Sequence, residues 1–144
     1  MIETLIKVLT VAFLGFFPLF EVFVAIPAGV GMGLNYLGVF LASVAGNFLP
    51  VFFIELAYEK MSHFRGFYKW LNREPSEGLQ NNLNRYGFWY ILFITPWTGV
   101  WLMAIAARLL KMPRKVLWWG TLSSLIIYGL AILALIQLGV DIFG

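Results

Sequence analysis

Residues 18 to 29, Pro18-Leu19-Phe20-Glu21-Val22-Phe23-Val24-Ala25-Ile26-Pro27-Ala28-Gly29, set one carboxylate between two prolines. They lie in an apolar run from Thr4 to Leu34 whose other charge is Lys7. At the centre of a membrane helix an ionised acid costs about 2.5 to 3.5 kcal/mol on insertion scales, so such a residue is a functional candidate by default. The chemistry open to it is proton binding, because burial disfavours the charged form of a carboxyl group. A plainer role is also open: an acid in the first turn of a helix interacts favourably with the helix dipole. A second polar break, Pro96-Trp97-Thr98-Gly99 followed by Trp101, interrupts another apolar run. Thr98 is suited to cap the limb that follows it. Trp97 and Trp101 can stack on a substrate, or pack and anchor as membrane tryptophans do.

The elements that carry these residues follow from composition. Of 144 residues, 61% are apolar, 18% aromatic and 12% charged, whereas a soluble domain needs about a quarter charged residues. The chain therefore reads as a polytopic membrane protein of one domain, residues 1–144, with no soluble appendage. Four apolar blocks are long enough to cross or enter a bilayer: Thr4 to Leu34, Tyr36 to Tyr58, Tyr86 to Leu110 and Val116 to Val140. The absence of cysteine removes disulfides, thiolate catalysis and zinc-thiolate sites. One histidine, His63, leaves no metal cluster to propose, and no cofactor is implied. No nucleophile, base and orienting group occur together, so enzyme chemistry has little support. Glu3 and Glu21 spoil a signal-peptide reading of the first residues.

In the first block, Thr4 to Phe17 reads as a helix ended near Pro18. A second piece runs from about Leu19 to Val30, kinked at Pro27 and stopped by Gly29, Gly31 and Gly33. A limb of about 14 residues reaches only about 21 Å against a hydrocarbon core of about 30 Å. Two such limbs suit a re-entrant hairpin; one long, tilted, proline-kinked span is the alternative. Tyr36 to Tyr58 spans, with Asn47 placed to hydrogen-bond across helices as structural glue.

Residues 59 to 85 are polar, with Phe64, Phe67, Tyr68 and Leu71 at helical spacing opposite Lys60, Arg65, Lys69 and Arg73. That pattern predicts an amphipathic interfacial link. Pro75-Ser76-Glu77 then starts a helix, with Ser76 as N-cap and Leu79 and Leu83 on one face. Tyr86 to Leu110 repeats the first block's design: a limb to Thr95, the break at Pro96 to Gly99, and a second limb through Ala107. Pro113-Arg114-Lys115 closes it, and Val116 to Val140 spans. Glu55, one turn from Glu59 near a basic face, is expected to be solvated. Arg108 is expected to snorkel to the interface, and Trp118 and Trp119 to sit in an aromatic belt.

Ala25-Ile26-Pro27-Ala28 beside Ala104-Ile105-Ala106-Ala107 is the best match between the two halves, and their hydropathy parallel is stronger than their identity. Net charge is +3, with the basic residues gathered at 60–85 and 108–115. This asymmetry speaks to orientation and not to nucleic acid. If both broken blocks are hairpins, the two clusters share one face, which the positive-inside rule makes cytoplasmic, with both termini outside. The expected fold is an all-α integral membrane protein of two inverted repeats. Repeat one (2–58) is a re-entrant hairpin 4–34 and a transmembrane helix 36–58; after the cytoplasmic link 59–85, repeat two (86–140) is a hairpin 86–112 and a helix 116–140. Discontinuous helices in matching positions point to a transporter's binding site.

Glu21-Val22-Phe23-Val24-Ala25-Ile26-Pro27-Ala28-Gly29 resembles the Glu-Leu-Arg-x-Ala-Ile-Pro-x-Gly motif of the small multi-drug export proteins. Pro96-Trp97-Thr98-Gly99-Val100-Trp101 resembles their second motif, Pro-Gly-Thr-Gly-x-Trp-Thr-Gly, and Arg85-Tyr86-Gly87 their lead-in to it. Phe23 stands where the motif has arginine, and Leu102-Met103 replaces the closing Thr-Gly. Through that family the chain resembles the DedA, or VTT-domain, proteins, which implies facing re-entrant hairpins and proton-dependent movement of lipids. The arginines that flank the second-hairpin proline in DedA proteins have no counterparts, since Phe93 and Gly99 occupy those offsets. An arginine fork is the usual way to hold a phosphate.

The expectation is a proton-coupled secondary transporter of amphipathic or lipid-like substrates in a prokaryotic inner membrane. Glu21 is its proton carrier, and Pro27, Pro96, Trp97, Thr98, Gly99 and Trp101 shape its substrate site. Its partners are protons, membrane lipids and the substrate, with a homodimer the simplest assembly. Two other readings stay open: a non-transporting membrane scaffold or assembly factor, and a four-span exporter resembling the small multidrug resistance family.

Overall fold

The structure, a computed structural model, describes residues 2–62 and 76–143. Six helices and no strand occur among the described residues: α1 (Ile2–Phe16), α2 (Glu21–Gly31), α3 (Tyr36–Ser62), α4 (Glu77–Thr98), α5 (Val100–Leu109) and α6 (Arg114–Phe143). The expected interfacial helix with Phe64, Phe67, Tyr68 and Leu71, its basic face at Arg65, Lys69 and Arg73, and His63 lie outside the described residues.

Two helices among the described residues are long and apolar enough to cross a bilayer: the 26-residue stretches Tyr36–Met61 and Arg114–Gly139, whose most apolar 18-residue windows have mean hydropathy 2.0 and 2.1. Each reaches about 39 Å. By contrast α1, α2 and α5 have 15, 11 and 10 residues, or about 22, 16 and 15 Å, short of the core of about 30 Å. Helix α4 has 22 residues, but Glu77, Gln80, Asn81, Asn82, Asn84 and Arg85 occupy its start. Its apolar part from Tyr86 reaches only about 20 Å. Leu5, Leu9 and Phe13 on α1, Phe53 and Leu56 on α3, Trp89 and Phe93 on α4, and Leu130, Leu135 and Leu138 on α6 all face outward. So much exposed apolar surface is unstable in water and at home in hydrocarbon. The chain is a membrane protein.

Helix α3 continues to Ser62, and α4 begins at Glu77, where the sequence starts a helix after Pro75-Ser76. Ser76 stands at the N-cap as expected, though its side chain makes no capping bond. At the head of α3 a cap does form: the Asn35 Oδ1 accepts from the Gly38 N–H at 2.7 Å.

The chain gathers into two compact units, Met1–Leu49 with Leu122–Gly144, and Pro50–Thr121. In the first, α1 and α2 fold back on each other, and small residues let backbones meet. A Cβ on Gly46 would fall on the Ala12 carbonyl, and one on Gly15 would lie 2.7 Å from the Ser43 carbonyl oxygen. In lipid, where apolar burial no longer drives association, such close approach is a main source of packing energy. Val11, Val22, Ile26 and Val39 fill the space beside these contacts.

In the second unit, α4 and α5 form a hairpin. Gly87 admits Met112 and Val116, and Gly120 admits Ile91. Trp118 meets Phe52 edge-on at 4.5 Å between ring centres. Trp119 does face outward, 63% exposed.

The same local design closes both hairpins. After α2, Gly33 N–H bonds the Val30 carbonyl at 2.9 Å and Leu34 N–H the Gly29 carbonyl at 3.2 Å. After α5, Lys111 N–H bonds Arg108 at 3.1 Å and Met112 N–H bonds Ala107 at 2.8 Å. Both are Schellman motifs, which need a left-handed residue after the last turn. Gly33 supplies it at φ 76°, and Lys111 at φ 54°. The remaining positive-φ residues among those described, Glu21 at 48° and Gly99 at 79°, stand at the opposite ends of these limbs. Glu21 pairs with Gly99 and Gly33 with Lys111, both at an offset of 78 positions.

Candidate functional site

Pro18 cannot donate to a helix, so α1 gives way after Phe16 to a turn that reverses the chain. Within the turn the Phe17 carbonyl accepts from Phe20 N–H at 3.1 Å and Glu21 N–H at 3.3 Å, while the Phe17 and Phe20 rings stack at 5.3 Å. Glu21 emerges as the first residue of α2, 7% exposed and in the left-handed region. A non-glycine residue there is strained by about 1–2 kcal/mol. Such strain persists only where the surroundings over-determine it, as at functional sites.

Asn47 of α3 supplies that constraint. Its carboxamide, oriented to satisfy its neighbours, donates to the Gly15 carbonyl and accepts from the Val22 N–H, both at 3.1 Å. Wholly buried, it bridges the last turn of α1 and the first of α2. This is the cross-helix role expected of it. At the start of α2 the Phe17 carbonyl and Asn47 take the N–H groups of Glu21 and Val22. Pro27 lies within α2, exposed and nearly two turns beyond Glu21.

The second break falls later than expected. Helix α4 runs through Thr95 and Pro96 to Thr98, and the chain turns at Gly99 alone, at φ 79° and ψ 157°. That conformation is essentially restricted to glycine. Thr98 does not cap α5: its hydroxyl donates backward to the Ile94 carbonyl at 3.1 Å, within α4. Met103 N–H bonding to Gly99 O at 3.1 Å opens α5 instead. Trp97 projects outward, 88% exposed, while Pro96 and Trp101 are half-buried.

A charged cluster occupies the second unit. Glu55, expected to be solvated, is 8% exposed. Its Oε1 lies 3.9 Å from Nη1 of Arg108 and its Oε2 lies 3.6 Å from Nε of Arg114. Arg114 also bonds Glu59. Arg108, expected to snorkel, is mostly buried over the Tyr58 ring at 4.6 Å, with Nη1 3.5 Å from the Met112 carbonyl oxygen. Two carboxylates and two guanidiniums thus balance one another in charge.

A family model described as "Putative small multi-drug export protein" matches residues 21–131, well over half of the chain. The chain belongs to this family. No curated protein and no solved structure matches it. The name of the small multi-drug export family denotes a transporter-like role and not catalysis.

The family match opens on Glu21 and takes in Gly99 and the whole Glu55 cluster. Sequence reasoning singled out Glu21 and Gly99 because prolines and glycines punctuate the apolar runs around them. It missed the pairing of Glu55 with Arg108, which stand 53 positions apart near the ends of different blocks. The only available signal was a pair of opposite charges at the rims of two apolar blocks.

Proposed function

We propose that this small multi-drug export family member is a proton-coupled secondary transporter of amphipathic or lipid-like substrates, with Glu21 as its proton carrier. The single observation that carries the reading is Glu21 itself: a buried carboxyl group, held in a strained backbone conformation at the head of a short apolar helix. A residue retained at that cost is better explained by what its side chain does than by packing.

The limbs α1, α2 and α5, and the apolar part of α4, are too short to cross. Together they support two re-entrant hairpins, each followed by one crossing helix. The repeated limb design at a 78-residue offset supports two repeats; with one crossing each, they are inverted. The basic clusters then face the cytoplasm of a prokaryotic cell and both termini lie outside. In this reading Pro27, Pro96, Trp97, Thr98, Gly99 and Trp101 shape the substrate path. The resemblance to DedA proteins, drawn through that family, favours lipid-like substrates. The missing arginines argue against recognition of a phosphate headgroup.

The test is transport in vesicles reconstituted with the full chain, using ethidium and an NBD-labelled phospholipid as probes under an imposed proton gradient. Glu21→Gln keeps the fold and abolishes gradient-driven movement of the probe that the native chain carries. Unchanged transport by Glu21→Gln overturns the assignment.

A further inference from the structure

The hairpin of α4 and α5 leaves a groove of about 370 Å³ between its limbs. The floor is buried, with Leu83, Met103, Ala107 and Met112 at most 9% exposed. The rim is open: Leu79, Tyr90, Ile94 and Leu110 are 38–52% exposed. Room for the groove comes from α5, which lines it with Ala106 and Ala107, side chains that end at Cβ. Small-molecule sites have about 300–1,000 Å³ and are mostly apolar, with a few placed polar groups. Here those groups are the Asn82 carboxamide and the Tyr90 hydroxyl, and no charged residue lines the groove.

The lining says what kind of molecule fits. Asn82 is exposed among the polar first turns of α4, beside Gln80, Asn81 and Asn84, whereas the groove beyond it runs over Leu83, Ile94 and Met103. It is thus polar at one end and apolar at the other, as an amphipath is. From Asn82 to Ile94 the helix climbs about 18 Å, close to the depth of one hydrocarbon leaflet, about 15 Å or half the bilayer core. A cation would find no acid among the lining residues to pair with, and an unpaired charge in such a place is costly. Met103 and Met112 are unbranched and adapt to a partner of no fixed shape. The rim residues Tyr90 and Ile94 also border a shallow aromatic hollow with Tyr86, Trp89 and Phe93, so the groove continues onto the outward face of α4.

We propose that this groove binds one acyl chain of a membrane phospholipid, its ester end hydrogen-bonded to Asn82 and its methyl end between Ile94 and Met103. The site needs only the hairpin and a bilayer. That the bound lipid is cargo rests on the transporter reading above, and it narrows that reading from amphipaths in general to lipids.

The test is photo-cross-linking of the full chain in phosphatidylcholine vesicles that contain a trace of phosphatidylcholine with a diazirine on one acyl chain, either at its end or next to the ester. Adducts are located by mass spectrometry. The end-labelled chain is expected to mark Met103, and the ester-labelled chain Leu83 and Met112, floor residues that lipid merely surrounding the protein does not reach. Ala106→Phe fills the groove and is expected to lose the floor adducts while keeping those on the outward Leu130 and Leu135 of α6. Adducts confined to Leu130 and Leu135 in the native chain overturn the proposal, whether or not Ala106→Phe folds. A disulfide between copies carrying Ala106→Cys, without floor adducts, also overturns it, because a second copy then fills the groove. Floor adducts with no gradient-driven transport of ethidium or labelled phospholipid leave this site standing and the transporter reading refuted. Gradient-driven transport of ethidium with no floor adducts does the reverse.

Discussion

The Asn47 carboxamide oxygen accepts the Val22 N–H at 3.1 Å, and so ties the middle of a crossing helix to the first turn of the limb that Glu21 heads. The same amide donates to Gly15, so one side chain satisfies a carbonyl at the end of α1 and an N–H at the start of α2. Replacing it by leucine strands both buried groups. Asn47→Leu is expected to lower stability by about 1–2 kcal/mol. Reversible unfolding in mixed micelles measures the loss, and native stability in Asn47→Leu would show that the two bonds contribute nothing.

Close backbone approach makes a sharper test of the first unit. An added methyl at Gly46 meets the Ala12 backbone, whereas at Gly78 it meets nothing within 4 Å. Gly46→Ala is expected to cost about 3 kcal/mol or more, in the range of overpacked cores. Gly78→Ala, in the first turn of α4, is expected to be neutral or to gain up to about 1 kcal/mol in helix propensity. Thermal unfolding of the two variants side by side decides the matter.

The two left-handed residues of the second hairpin predict opposite signs. Lys111→Gly relieves a strained Schellman position and is expected to stabilise by about 0.5–1 kcal/mol. Gly99→Ala forces a Cβ into a glycine-only conformation and is expected to cost about 1–3 kcal/mol. Unfolding midpoints of both variants, read against the native chain, check the pair.

How much of this was readable beforehand depends on whether the cause was local. Block lengths and hydropathy revealed the order of short and crossing helices, because a bilayer of fixed thickness sorts elements by length. Gly33 marked the end of α2, since a Schellman turn calls for glycine. At the second break proline misled: Pro96 costs α4 one hydrogen bond near its end without stopping it, and Gly99 makes the turn. Thr98 misled for a related reason, as a threonine hydroxyl in a helix can bond backward as well as cap forward. Lys111 hid the second Schellman turn because its residue type does not advertise a positive φ. The Glu55 cluster was illegible because tertiary packing alone joins its members.

The account turns on each broken block entering and leaving on one face. The natural lack of cysteine allows a direct measurement: single cysteines at Ile2, Tyr36, Asn81 and Lys115, each tested with a membrane-impermeant thiol reagent in oriented vesicles. Positions 2 and 36 labelling from one face and 81 and 115 from the other is the result expected for two re-entrant hairpins. If 2 and 36, or 81 and 115, label from opposite faces, that block crosses fully and the account is contradicted.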